Sequence, residues 1–143
     1  MSQADIVPEM IPHGVKACLL ALSDAAWIEA AREFFLSRGF YLIQEPDPET
    51  ASAKLRLNAL DVVLTQDGPD FRAVLQELHG RPGLARRETC LILVGDFTSL
   101  DDFAAFAAGA DFVLGKDDAA RATTFLHEAL RRFEDSRGMW LAT

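Results

Sequence analysis

The chain has 143 residues and a mass of 15.7 kDa, which is enough for one ordinary domain with a buried core. Its 22 acidic and 14 basic residues give a formal charge of −8, which disfavours direct binding to nucleic-acid phosphates. No apolar run approaches the roughly 20 residues that span a bilayer, and residues 1–13 lack the basic cluster of a signal peptide.

The first predicted element is a strand over residues 15–22, followed by a helix. The strand is a continuous apolar run after the break at Gly14, which is typical of a strand buried on both faces. Ser23 or Asp24 can cap the helix, which ends at Gly39. The helix has apolar residues at helical spacing: Trp27, Ile28, Ala31, Phe34 and Phe35.

The next two units repeat the order of strand and helix. Residues 40–44 form a short second strand, and a modest helix over 49–58 follows a proline-rich break. Residues 60–65 form the third strand. Asp70 is expected to cap the third helix, which ends in the turn at 79–82.

The last two units complete the pattern. A fourth strand over 90–94 precedes a helix that begins at Ser99 and carries Leu100, Phe103 and Phe106. A fifth strand over 112–115 precedes the last helix, predicted over 118–135. The inward stripe of that helix contains Ala122, Phe125, Leu126, Ala129, Leu130 and Phe133.

Five strand-then-helix units predict an α/β fold with a doubly wound parallel sheet. Right-handed crossovers place helices on both faces, and ligand sites of such sheets lie beyond the carboxyl ends of the strands. We expect one domain over residues 15–135, an N-terminal extension over 1–14 and a C-terminal tail over 136–143. The aromatic Trp140 in that tail is expected either to dock on a neighbour or to fold back.

Both cysteines, Cys18 and Cys90, lie within apolar strand-like runs. This placement favours buried thiols over a disulfide or a metal site. A reducing compartment suits free thiols, so we expect a cytoplasmic protein without membrane or nucleic-acid partners.

Three local motifs accompany the five units: Gly39-Phe40, Arg81-Pro82-Gly83-Leu84 and Gly109-Ala110-Asp111 through Lys116. Together with the spacing of the units over residues 15–135, these motifs resemble the CheY-like receiver domain of bacterial response regulators. It implies a five-stranded, flavodoxin-like (βα)5 sheet with strand order 2-1-3-4-5. It also implies a role in two-component signal transduction.

Receiver domains are phosphorylated on an aspartate after the third strand. An acidic pair after the first strand binds Mg²⁺, and a hydroxyl residue after the fourth strand and a lysine after the fifth bind the phosphoryl oxygens. The resemblance places the acidic pair on Leu22 and Ser23, the phosphoacceptor on Gln66 and the hydroxyl on Gly95. An amide is not a usable nucleophile. Because only Lys116 matches the family, we expect a degenerate, atypical pseudo-receiver without a cofactor.

A shift of one residue after the third strand leaves an alternative open. Asp67 would then be the phosphoacceptor, and Asp24 and Asp96 would supply further carboxylates for Mg²⁺. The same residues also suit simpler roles. Asp24 and Asp96 can cap helices or face solvent, and Asp67 can belong to the turn before Gly68.

Lys116 itself has two interpretations. It can take a catalytic or switching role, or it can be a structural remnant that pairs with Asp67 or Asp24. A lysine held between carboxylates would fix the surrounding loops in one conformation, whereas a switch needs two.

The fourth helix, fifth strand and fifth helix form the surface that receiver domains usually offer to partners. On this surface we place Phe103, Phe106, Val113 and Phe125. Helical spacing predicts that most of the phenylalanines lie in the core. If one or two point outward, they form an apolar patch for a partner or a homodimer.

We therefore predict a stand-alone pseudo-receiver that signals through phosphorylation-independent contact with a histidine kinase or another signalling protein. It is not predicted to be an enzyme beyond the limited self-phosphorylation of receivers. The alternative is a true receiver, phosphorylated on Asp67 by a histidine kinase with Mg²⁺.

Overall fold

Five parallel strands form the centre of the computed structural model, which describes residues 7–141. The strands are β1 (Ala17–Ala21), β2 (Tyr41–Gln44), β3 (Val62–Gln66), β4 (Cys90–Gly95) and β5 (Phe112–Gly115). Their order in the sheet is 2-1-3-4-5, which confirms the predicted fold. β3 extends one residue further than predicted, so Gln66 belongs to the strand.

Helices cover both faces of this sheet. The α-helices in the described part of the chain are α1 (Ala25–Ser37), α2 (Pro48–Leu57), α3 (Arg72–His79), α4 (Gly83–Arg87), α5 (Asp102–Ala108) and α6 (Ala122–Leu141). The short α4 was not predicted, because its five residues are too few to show helical periodicity. No helix within residues 7–141 is both long and apolar enough to cross a membrane.

The alternation of side chains along the strands divides the core into two layers. Cys18 and Leu20 of β1 face the layer that α1 and α6 cover, where Trp27 and Phe35 are fully buried. Leu19, on the other side of the same strand, packs with the apolar faces of α2 and α3. β1 is therefore apolar on both sides, which is why it reads as a continuous apolar run.

Two predicted helix starts are wrong. Asp70 lies in a 3₁₀ turn over Pro69–Phe71 and does not cap α3, whose N-cap makes no side-chain hydrogen bond. Ser99 does not begin a helix. Asp101 caps α5 instead, because its Oδ1 accepts from the backbone N–H groups of Phe103 at 3.0 Å and Ala104 at 3.1 Å.

The last helix is also displaced from its predicted range. Residues Lys116–Arg121 form a 3₁₀ segment, and α6 begins only at Ala122 and continues to Leu141. The helix therefore runs into the predicted tail. The two alternatives for Trp140 concern a side chain outside the described part of the structure, as do residues 1–6 of the predicted extension.

Both cysteines are free and buried, as predicted. Burial raises the pKa of the Cys18 and Cys90 thiols well above the usual value, and nearby Asp61 and Asp111 add to the effect.

We expect neither thiol of the native protein to react with a disulfide reagent such as DTNB at pH 8. Unfolding should release both thiols. Because opening a folded domain costs about 5–15 kcal/mol, the native reaction should be slower by about 1000-fold or more. The absorbance of the released chromophore measures the rate, and rapid titration of two thiols without denaturant would contradict the buried placement.

Candidate functional site

The predicted site residues meet at the carboxyl edge of the sheet. Ser23 follows β1, Gln66 ends β3, Gly95 ends β4 and Lys116 follows β5. The register pairs Gln66 with Val94 of β4, and it pairs Gly95 with the last residue of β5. The structure therefore brings to one edge the positions that the sequence placed at four separate strand ends.

The side chain of Gln66 forms hydrogen bonds with the loop after β1. Its side-chain oxygen Oε1 accepts from the backbone N–H of Ser23 at 2.7 Å and from that of Asp24 at 3.3 Å. The Ser23 hydroxyl donates to the same oxygen at 3.2 Å. The amide at the phosphoacceptor position thus acts as a hydrogen-bond acceptor for the neighbouring loop.

The residues after β1 do not fit the Mg²⁺ ion of receiver domains. Leu22 is 1% exposed and belongs to the apolar core. The Asp24 carboxylate accepts from the backbone N–H of Trp27 at 3.1 Å, so it caps α1 as the simpler prediction proposed. Within residues 7–141, no three His, Cys, Asp or Glu side chains form a group that could hold a metal ion. Asp24, Asp67 and Asp96 therefore do not converge as hard oxygen ligands would have to.

Neighbouring side chains fill the space beside Gly95. A Cβ atom added to this glycine would lie 2.8 Å from Cβ of Asp67 and 2.8 Å from the ring atom Cε2 of Phe97. Phe97 is held there by the apolar cluster of Leu93 and Ala105. The position that carries a hydroxyl residue in receivers therefore has no room for a side chain.

Lys116 is exposed and does not pair with a carboxylate. No ion pair or side-chain hydrogen bond joins it to Asp67 or Asp24 within residues 7–141. Of the two interpretations of Lys116, the structural one, in which it pairs with Asp67 or Asp24, is therefore wrong. Asp67 is also exposed, and its backbone N–H donates to the carbonyl of Val94 at 2.8 Å.

Trp27, and not Lys116, connects α1 to the end of β5. This side chain is fully buried, and its Nε1–H donates to the carbonyls of Gly115 and Lys116, both at 3.1 Å. The indole reaches from α1 to the end of β5. It therefore fixes the backbone on which Lys116 sits, while the lysine side chain stays free of carboxylates.

A second connection joins the loops after β4 and β5. The Ser99 hydroxyl donates to Oδ2 of Asp118 at 2.6 Å and accepts from the backbone N–H of Gly115 at 2.8 Å. Sequence reasoning missed Ser99 and Trp27 as site residues. A tryptophan in a buried helix face needs a partner for its N–H, but the sequence does not indicate which carbonyl supplies it.

The predicted partner surface is only partly exposed. Val113 is fully buried, so its assignment to this surface is wrong: on β5 it packs against Leu93 and Ala105. Phe125 is half-buried, with the guanidinium of Arg121 4.7 Å from its ring centroid.

Phe103 and Phe106 are 87% and 88% exposed, although helical spacing predicted most phenylalanines to be inward. The small Ala105 occupies the face of α5 that contacts the sheet. Burying a phenylalanine side chain stabilises a folded protein by about 1.5–3 kcal/mol. Neither Phe103 nor Phe106 contributes this stabilisation to the folded chain.

The order of the strands and the placement of these residues at their carboxyl ends define the fold of response-regulator receiver domains. No family model and no curated protein matches this sequence. Among solved structures, the chain is similar to the chemotaxis response regulator CheY4 of Vibrio cholerae. The TM-score is 0.55 and the identity 16%, over 80% of this chain and 99% of the other.

A second similar structure is a response regulator receiver modulated diguanylate cyclase from Pelobacter carbinolicus. The TM-score is again 0.55, with 18% identity over 87% of this chain and 98% of the other. At such low identity these similarities establish the fold. The function has to be inferred from the chain's own residues.

Proposed function

We propose that this protein is a pseudo-receiver, a binding module of two-component-type signalling that acts by protein contact without being phosphorylated. The observation that carries the proposal is the filled space beside Gly95, where Asp67 and Phe97 occupy the volume of the missing hydroxyl side chain. A phosphoryl group needs hydrogen-bond donors at this place. The protein presents a β-carbon and an aromatic ring there instead.

Two further observations support the proposal. The amide of Gln66 is engaged by the loop after β1, and it cannot act as a nucleophile. Trp27 and Ser99 hold the backbone at the end of β5. A phosphorylation switch needs two conformations of these loops, whereas here their contacts favour one. The partner is a signalling protein such as a histidine kinase, and the free thiols suit a cytoplasmic location.

Incubation with acetyl phosphate and Mg²⁺ is expected to leave the intact mass unchanged. Beryllofluoride with Mg²⁺ should likewise leave the amide resonances of residues 66 and 67 in place, because Gln66 is not a nucleophile and Leu22 and Ser23 supply no acidic pair. An authentic receiver domain, treated in parallel, serves as the positive control. A phosphoryl adduct on the protein, or shifts centred on residues 66 and 67, would overturn the proposal.

The alternative function is phosphorylation on Asp67 with Mg²⁺. The observation in its favour is that this carboxylate is exposed at the carboxyl edge and has no hydrogen bond or ion pair within residues 7–141. Any phosphoryl adduct found should then disappear in Asp67→Asn. If it persists in that variant, this alternative fails too.

A further inference from the structure

A groove with a volume of about 740 Å³ lies between α2 and α3. Polar side chains from both helices and from the turn after α3 line it: Glu49, Ser52, Arg56, Gln76, Glu77 and Arg81. None of these residues belongs to the candidate site at the carboxyl edge of the sheet. A concave surface of this size with a few convergent polar groups is typical of a small-molecule site. We call it the α2–α3 groove.

The hydroxyl of Ser52 is buried in the wall of the α2–α3 groove and has no hydrogen-bond partner. The residue is only 6% exposed, and its Oγ bonds to no other residue in the described part of the chain. Buried hydroxyls normally have a partner, and one without a partner destabilises the folded chain. Because Ser52 lines the groove, rotation about its Cα–Cβ bond would offer the hydroxyl to a ligand there.

Arg81 brings a positive charge without a counter-charge to the same groove. Its side chain is half-buried, and the guanidinium donates to the backbone carbonyl of Leu55 near the end of α2. That hydrogen bond uses one of the five N–H groups of the guanidinium and holds the side chain in place. Within residues 7–141, Arg81 forms no ion pair. Its other N–H groups can therefore bind an acceptor from outside the chain.

The remaining charges of the groove limit the charge of its ligand. Arg56 is already neutralised, because its Nε lies 2.9 Å from Oε1 of Glu77 and this ion pair joins the two helices. Arg81 can balance one negative charge. Any further negative charge on the ligand would face Glu49 and Glu77, which line the same groove. The balance of charges therefore favours a monoanion.

We propose that the α2–α3 groove binds a small organic monocarboxylate. The planar fork of the Arg81 guanidinium matches the geometry of a carboxylate, and the Ser52 hydroxyl would donate a further hydrogen bond to it. The chain as a whole carries a formal charge of −8, so its surface repels anions in general and a carboxylate has to be held by local groups. This inference goes beyond the proposed function and does not depend on it.

The experiment titrates the full, isotope-labelled chain with sodium acetate and sodium glycolate at neutral pH and constant ionic strength. Amide shifts give the dissociation constant and locate the contact. Acetamide is the uncharged control, and succinate and phosphate are the multiply charged ones. We expect saturable shifts centred on residues 49–56 and 76–82 with acetate and glycolate. Binding of succinate and phosphate should be weaker by about fivefold or more, and acetamide should not bind.

Two arginine variants test the charge. Arg81→Gln should weaken the binding of acetate by about tenfold or more, because it removes the charge and the fork that hold the carboxylate. Arg72→Gln is the matched control. It makes the same change at an exposed arginine of α3 that does not line the groove, so its affinity should equal that of the unchanged chain.

Two serine variants separate binding from stability. Ser52→Ala should weaken binding by about three- to tenfold, whereas the urea midpoint of the ligand-free chain should stay the same or rise, since the hydroxyl has no partner to lose. Ser37→Ala should do the reverse. Its hydroxyl donates to the carbonyl of Phe34 on α1 at 2.7 Å, so the midpoint should fall and the affinity should stay the same.

Several outcomes would overturn the inference. They are equal shifts with acetamide, shifts centred away from α2 and α3, or unchanged affinity in both Arg81→Gln and Ser52→Ala. Tighter binding of phosphate than of acetate would also overturn it, because the groove would then select another class of anion. A phosphoryl adduct from acetyl phosphate contradicts the proposed function alone, so the two failures are distinguishable.

Discussion

Trp27→Ala is expected to lower the free energy of unfolding by about 3–5 kcal/mol, the usual cost of replacing a buried large aromatic by alanine. The side chain is fully buried in the layer between α1, α6 and the sheet. Its removal leaves a cavity, and it also leaves the carbonyls of Gly115 and Lys116 without the indole donor. Because the free energy of unfolding of a whole domain is only about 5–15 kcal/mol, the variant should be close to unfolding.

Trp27→Phe separates the hydrogen bonds from the packing. Phenylalanine keeps most of the buried ring but has no N–H, so we expect a loss of about 1–3 kcal/mol for the unsatisfied carbonyls. Urea denaturation measures both variants. Amide hydrogen exchange of residues 115–118 should accelerate in Trp27→Phe before global unfolding. Unchanged stability and exchange would show that the indole does not hold the end of β5.

Gly95→Thr is expected to destabilise the protein although it introduces the hydroxyl residue that receivers carry there. A Cβ at this position lies 2.8 Å from Cβ of Asp67 and from the ring of Phe97. Both neighbours have to move, and overpacking of this kind costs about 1–3 kcal/mol. Gly83→Thr is the matched control, because a Cβ at Gly83 meets nothing within 4 Å.

The midpoint of urea denaturation should fall in Gly95→Thr and change little in Gly83→Thr. Combining Gly95→Thr with Gln66→Asp should still give no phosphoryl adduct, because the residues after β1 supply no acidic pair. A Gly95→Thr variant of unchanged stability would mean that Phe97 moves aside easily. The filled space would then carry no functional conclusion.

Several parts of the fold follow from local patterns. Strands β1, β3, β4 and β5 were predictable because each is buried and apolar on both sides, so a continuous apolar run marks it whatever surrounds it. The start of α5 could not be predicted, because Ser99 and Asp101 are both good N-cap residues and only the backbone conformation decides between them. The buried side of α5 was also misjudged. Its phenylalanines were expected inward, yet the small Ala105 packs on the sheet.

The sequence by itself determined the order of elements and the residue types at the strand ends, because those residue types are independent of how the chain packs. Leu22, Gln66 and Gly95 lack the required groups in any conformation. Only the tertiary structure decided which side chains surround these positions. Trp27 holds a loop 88 residues away in sequence, and Phe97 fills the space beside Gly95. Such contacts depend on distances across the folded sheet, and no local pattern in the chain encodes them.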